Sequence, residues 1–94
     1  MPKLSPIKNY RLTGHARFEM TRRQISDETI TQVLANQDDT ETVRAGRAVY
    51  QSQIEIGDPA KIYLIRIFVD VDRTPPEVVT VYRTSKVAKY WRSE

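Results

Sequence analysis

The spacing of hydrophobic positions changes character about a third of the way along the chain. Ile30, Val33 and Leu34 recur at i, i+3 and i+4, the stripe of an amphipathic helix that ends near Asn36. Ser26 supplies an N-cap hydroxyl, and Asp27 and Glu28 suit the positive end of the helix dipole. A shorter helix is predicted before it, from about His15 to Arg23, with Thr13 as its N-cap and a tight corner between the two. Ile7–Leu12 has the composition of a short strand that Gly14 breaks. Further along the period becomes two. Ala48, Tyr50, Ser52, Ile54 and Ile56 alternate with Val49, Gln51, Gln53 and Glu55, as in a half-buried strand. The stretch TETVR before it ends at Ala45-Gly46, a hairpin turn signal. KIYLIRIFVD is apolar on both faces and reads as a central strand covered on two sides. EVVTVYRT is a further strand, bounded by Thr74, Pro75 and Pro76, and Ser85 caps a last helix carrying Val87, Ala88 and Trp91.

Strands joined by short loops pair antiparallel, and helices grouped at the chain ends suit a layered fold. The expected class is α+β, with two N-terminal helices and a C-terminal helix packed on one face of a four-stranded antiparallel meander. Ninety-four residues suit one domain spanning 1–94, with Pro2 and Pro6 marking a loose arm over about residues 1–6.

Composition narrows the chemistry. Hydrophobic residues at 39% and charged residues at 29% give an ordinary globular balance. The chain has no cysteine and one histidine, which removes disulfide scaffolds and makes a zinc site improbable. No cofactor motif is present. The N-terminus lacks the apolar run of a signal peptide, and no segment approaches a membrane span, so a cytoplasmic protein without a membrane partner is expected. The net charge of +3 is unevenly laid out. Residues 1–25 carry six basic side chains and one acidic, residues 26–60 two basic and seven acidic, and residues 61–94 seven basic and four acidic. Two basic ends that met in space would form a surface suited to phosphates.

Three groups of residues could carry chemistry. At about 100° per residue, His15, Glu19 and Arg23 share one stripe of the first helix, with Arg22 at its edge. A His and a Glu at i, i+4 can hydrogen-bond, and an imidazole beside a carboxylate and a guanidinium can move a proton or hold an anion. A solvated ladder of surface ion pairs fits the same spacing. Arg66 lies between Leu64 and Phe68 on one face of the most apolar strand. It therefore needs a partner, such as Glu19 or Glu55, or a pocket that receives an anion. In the third group, Tyr82 and Thr84 share a strand face on which Val78 and Thr80 also fall by strict alternation. Arg83 points the other way, and Ser85 and Lys86 open the last helix. If the first helix packs on the sheet face that bears Arg66, then His15, Arg66 and Tyr82 line one cleft.

The run HARFEMTRRQIS followed by a helix, a meander and VVTVYRTSKVAKYW resembles a family of small bacterial domains of unknown function. That family carries an N-terminal His-Ala-x-x-x-Met-x-x-Arg-x-Ile-Ser signature and a C-terminal Thr-x-Tyr-x-Thr strand. It is similar in size and layout to the RelE and BrnT ribonuclease toxins of toxin–antitoxin systems. The resemblance implies a metal-independent RNA endonuclease with RNA as substrate and a cognate antitoxin as protein partner. His15, Glu19 and Arg23 match the family's signature helix, and Tyr82 and Thr84 its last strand. Arg66 has no counterpart in the signature and is added from its place in the apolar strand. The candidate catalytic set is therefore His15, Glu19, Arg66 and Tyr82, with substrate contacts from Arg22, Arg23, Arg83, Thr84 and Lys86. An Arg is expected in many relatives where Glu19 stands, so this site is less cationic than theirs. The residues alone fit equally a non-catalytic module for nucleic acid or protein, such as an antitoxin, immunity or scaffold partner.

Overall fold

The structure, a computed structural model, describes residues 5–36 and 39–90. Its class is α+β, with three helices and one five-stranded sheet. The elements run β1 (Arg11–Leu12), α1 (Gly14–Arg23), α2 (Asp27–Ala35), β2 (Asp39–Arg44), β3 (Arg47–Ile56), β4 (Lys61–Asp70), β5 (Glu77–Thr84) and α3 (Val87–Tyr90).

Both N-terminal helices begin where the capping residues place them. The Thr13 hydroxyl accepts the Ala16 N–H at 3.1 Å, and the Ser26 hydroxyl accepts the Thr29 N–H at 3.1 Å. The corner between them turns on Gln24, which sits in the left-handed region at φ 56°. The Ile25 N–H then donates back to the Met20 carbonyl at 2.8 Å, closing the end of α1.

The expected four-stranded antiparallel meander needs correction. The sheet is mixed, in the order β1-β5-β4-β3-β2, because β1 joins β5 in parallel. Two backbone bonds hold it there: the Arg11 N–H donates to the Pro76 carbonyl at 2.8 Å and the Thr13 N–H to the Val78 carbonyl at 3.1 Å. A two-residue strand has no period to read, so only its location within Ile7–Leu12 was visible in sequence. Within the span expected as an arm, Ser5 is tied to the body of the fold. The Tyr50 hydroxyl donates to the Ser5 carbonyl at 2.9 Å, and the Ile7 N–H donates to the Leu34 carbonyl at 2.9 Å. Residues 1–4 and Trp91 lie outside the described residues.

The sheet has two unlike faces. On the inner face, Ala48, Tyr50, Ile65, Ile67, Val69, Val78 and Val81 form one cluster with Ile30, Val33 and Leu34 of α2 and Ala16 and Met20 of α1. α2 lies over β3 and β4, whereas α1 runs beside β5. Burial of each such aliphatic side chain contributes about 1.5–3 kcal/mol. α3 is on the other side, where Tyr90 meets residues of the outer face. The three helices therefore do not share one face as expected.

A bulge in β5 completes the division. Phe68 pairs with Thr80 but Val69 pairs with Val78, so Val79 is the extra residue. Val78 turns inward against Val69, while Thr80, Tyr82 and Thr84 turn outward. Strict alternation had put Val78 on the side of Tyr82. No helix among the described residues is long and apolar enough to cross a membrane.

Candidate functional site

The site grows from the register of the outer face. Asp39 of β2 stands opposite Gln51 of β3, Gln51 opposite Arg66 of β4, and Arg66 opposite Tyr82 of β5. Four polar side chains thus form one row across the sheet, on the face flanked by the buried Val49 and Leu64. Arg66 Nε donates to Gln51 Oε1 at 3.0 Å, and Gln51 Nε2 donates to Asp39 Oδ2 at 3.1 Å. Gln51 is only 2% exposed, so both ends of its amide are fixed by partners rather than by water.

Aromatic rings complete the surroundings of Arg66. Its guanidinium carbon lies 4.6 Å from the centroid of the Tyr90 ring and 5.3 Å from that of Phe68. Both are within cation–π range. Tyr90 in turn meets Tyr82 edge-on, with centroids 6.0 Å apart and planes at 75°. Arg23 reaches Tyr82 from α1, its guanidinium carbon 5.0 Å from the ring centroid. Arg23 Nε also donates to Glu19 Oε1 at 2.7 Å, and Arg22 approaches Glu19 Oε2 at 3.4 Å.

Charge is arranged unequally along this chain of contacts. Hydrogen bonding from Arg23, with the charges of Arg23, Arg22 and His15, holds the Glu19 carboxyl below the usual range against the opposing effect of burial. Arg66 has no carboxylate partner among the described residues and donates its Nε to a neutral amide. The remaining N–H groups of a guanidinium so placed suit a planar or tetrahedral oxyanion. Hydrogen bonding with Tyr90 and Thr84, together with the charges of Arg23 and Lys89, holds the Tyr82 phenol below its ordinary value.

The structure gathers some of the sequence candidates and separates others. Arg66, Tyr82, Arg23, Glu19 and Arg22 form one connected group. Thr84 is buried beside it, and its hydroxyl accepts the Lys86 N–H at 3.0 Å, so Thr84 rather than Ser85 caps the turn into α3. Lys86 is exposed at that turn. Arg83 projects to the inner-face side, where its guanidinium carbon lies 4.9 Å from the Tyr63 ring centroid. It cannot act with Arg66. His15 is exposed, and Glu19 is bonded to the two arginines rather than to His15. The contacts that join Glu19, Arg23, Tyr82 and Arg66 do not run through His15, whose charge acts on Glu19 one turn away. His15 lies two turns, about 12 Å along the helix axis, from Arg23. Three members of the group escaped sequence reading: Gln51, Asp39 and Tyr90. Gln51 and Asp39 are ordinary strand residues until the pairing register places them beside Arg66. Among the described residues no three His, Asp or Glu side chains gather where a metal ion could sit. Comparison with protein families, with curated proteins and with solved structures returned no match.

Proposed function

We propose that this protein binds single-stranded RNA on the outer face of its sheet, with Arg66 as the phosphate contact and Tyr90 and Tyr82 as aromatic surfaces for bases. One observation carries this reading. Arg66 is a half-buried guanidinium within reach of two rings, fixed through its Nε and, among the described residues, without a carboxylate partner. Single strands are held by such combinations, since a cation takes the backbone while every base offers a face for stacking. Gln51 and Asp39 keep the guanidinium in place. Arg23, partly neutralised by Glu19, supports the Tyr82 ring.

Fluorescence anisotropy with a labelled single-stranded RNA tests this. R66A should weaken binding about tenfold and flatten the dependence of affinity on salt by about one phosphate contact. Equal affinity of wild type and R66A would remove Arg66 from the interface, and absence of binding by the wild type would end the reading.

RNA cleavage is a second reading, favoured by the placing of the Tyr82 phenol opposite Arg66 and against the Arg23 guanidinium. Here the Tyr82 oxygen, once deprotonated, accepts the proton of the 2′-hydroxyl as that oxygen attacks phosphorus. Arg66 stabilises the charge on the pentavalent phosphate, and the departing 5′-oxygen takes a proton from solvent. The products are a 2′,3′-cyclic phosphate and a 5′-hydroxyl. Such a cytoplasmic nuclease would be the toxin partner of an antitoxin protein. Incubation of RNA with the protein in EDTA should then give fragments. Y82F should abolish them, and H15A should leave them unchanged because His15 stands outside the cluster.

A further inference from the structure

Three other features compete for a role. A small cleft lined by Arg44, Arg47, Asp70, Asp72 and Arg73 has its cations opposed, with Arg47 bonded to Asp70 at 2.7 and 3.1 Å. The edge of β2 is bulged and carries Asp39 and Glu41. The outward side of α1 is different, because it combines an exposed aromatic with an excess of basic side chains.

Phe18 is 61% exposed, the most exposed large hydrophobic side chain among the described residues. At 3.6 residues per turn, His15, Phe18 and Arg22 fall within a sector of about 60° that points away from the buried Ala16 and Met20. The helix is capped at both ends, so this stripe is presented on a rigid element. Glu19, the one acidic residue of α1, is buried and already bonded to Arg22 and Arg23. Beyond Phe18 the helix surface continues to Arg17, which lines an open cleft of about 560 Å³ together with Lys8, Tyr10 and Arg11. Of the nearby acids, Glu77 approaches Arg11 at 3.8 Å and is shared with Arg73 at 3.5 Å, and Asp27 lines a neighbouring cleft with Arg17.

The order of residues around the helix is informative. From Tyr82 on the outer face the surface passes to Arg23, then His15 and Arg22, then Phe18, and then Arg17 with the cleft of Arg11 and Lys8. The basic surface is therefore continuous around α1, and it holds one aromatic ring open to solvent. We infer that a bound RNA strand continues from the outer sheet face around α1, with Phe18 stacking a second set of bases and Arg22, Arg17, Arg11 and Lys8 following the backbone. This rests on the RNA-binding reading and adds a track to it. The occupant is a single strand because a lone exposed ring flanked by cations offers base stacking and phosphate contact together. Arg22 shares Glu19 and Arg11 shares Glu77, while Arg17 and Lys8 have no ion-pair partner among the described residues, so the surface keeps a basic excess that favours a polyanion over an acidic or neutral helix.

The test uses the full chain and two single-stranded RNA oligomers, one of about 4 nucleotides and one of about 16, spanning the range of strand lengths single binding modules engage. Wild type should bind the longer oligomer more tightly. F18S should weaken the longer oligomer about tenfold, as expected for one lost stacking platform, and change the shorter one less than about twofold. R17A should lower the salt dependence for the longer oligomer only, while R66A should weaken both. F18S removes an exposed side chain, and its circular dichroism spectrum should match that of wild type. If F18S leaves the longer oligomer unaffected while R66A weakens both, the track around α1 is wrong and the outer-face reading stands. If wild type binds neither oligomer, both fail. If wild type sediments as a dimer and F18S as a monomer, the surface seats a second copy of this chain and the inference is overturned.

Discussion

Glu19 is a buried carboxylate whose charge is kept by two arginines from its own helix. Its folded pKa is lowered from an ordinary value of 4.5, chiefly through the Arg23 hydrogen bond. A depressed folded value means that the charged form stabilises the fold. That contribution is complete above the unfolded value and is lost as pH falls through the folded one. The stability difference between wild type and E19Q should therefore be constant from neutral pH down to about 4.5 and shrink below it. Urea unfolding at pH 7 and pH 3 would check this; an undiminished difference at pH 3 would mean that the arginines do not hold the carboxylate. Gly46 makes a different kind of demand. Its φ of 83° and the Asp72 carboxylate 2.6 Å from where a Cβ would stand disfavour any side chain. Asp72 can swing away, being exposed, so the cost of G46A is backbone strain of about 1–2 kcal/mol, readable as a lowered urea midpoint.

Among the elements, the capped helices are the least dependent on context. Ser26 meets the Thr29 N–H that α2 leaves without a partner, and S26A should cost about 1 kcal/mol in thermal unfolding. The same local logic explains what could be read in advance. The caps of α1 and α2, the Ala45-Gly46 turn and the alternation of β3 depend on neighbours in sequence, and each falls where local rules put it. Arg66 was recognisable because a cation in an apolar strand must have a partner. Its partner was not, since Gln51 meets it only through the β3–β4 register. The Val79 bulge was hidden for a similar reason: Val78, Val79 and Val81 are interchangeable in composition, and only packing selects which turns inward. That bulge also spoiled the expected side of Val78. The reach of Arg23 from α1 to Tyr82 lay one level higher, in how α1 packs beside β5, which no local pattern fixes.

At the scale of the molecule, the principal extents of 39, 33 and 19 Å describe a flat body. The shortest is about two layers of secondary structure, a sheet and its helices. The single shared core makes stability depend on the inner face. L34A, which empties a fully buried position between α2 and the sheet, should cost about 2–5 kcal/mol and lower the urea midpoint without touching the outer-face row of Asp39, Gln51, Arg66 and Tyr82. The two sides of the sheet end differently. Along one, β1 pairs with the start of β5 and α1 runs beside the rest; the other ends at β2. A sheet can be extended strand by strand into a filament only if each unit offers an open border on both sides. Here the border at β2 is irregular at Thr42–Arg44 and charged at Asp39 and Glu41, and the border at β1 is two residues long. Two copies joined at β2 would use up each other's longer border and leave only the short β1 ends, so edge-to-edge growth beyond a pair is disfavoured.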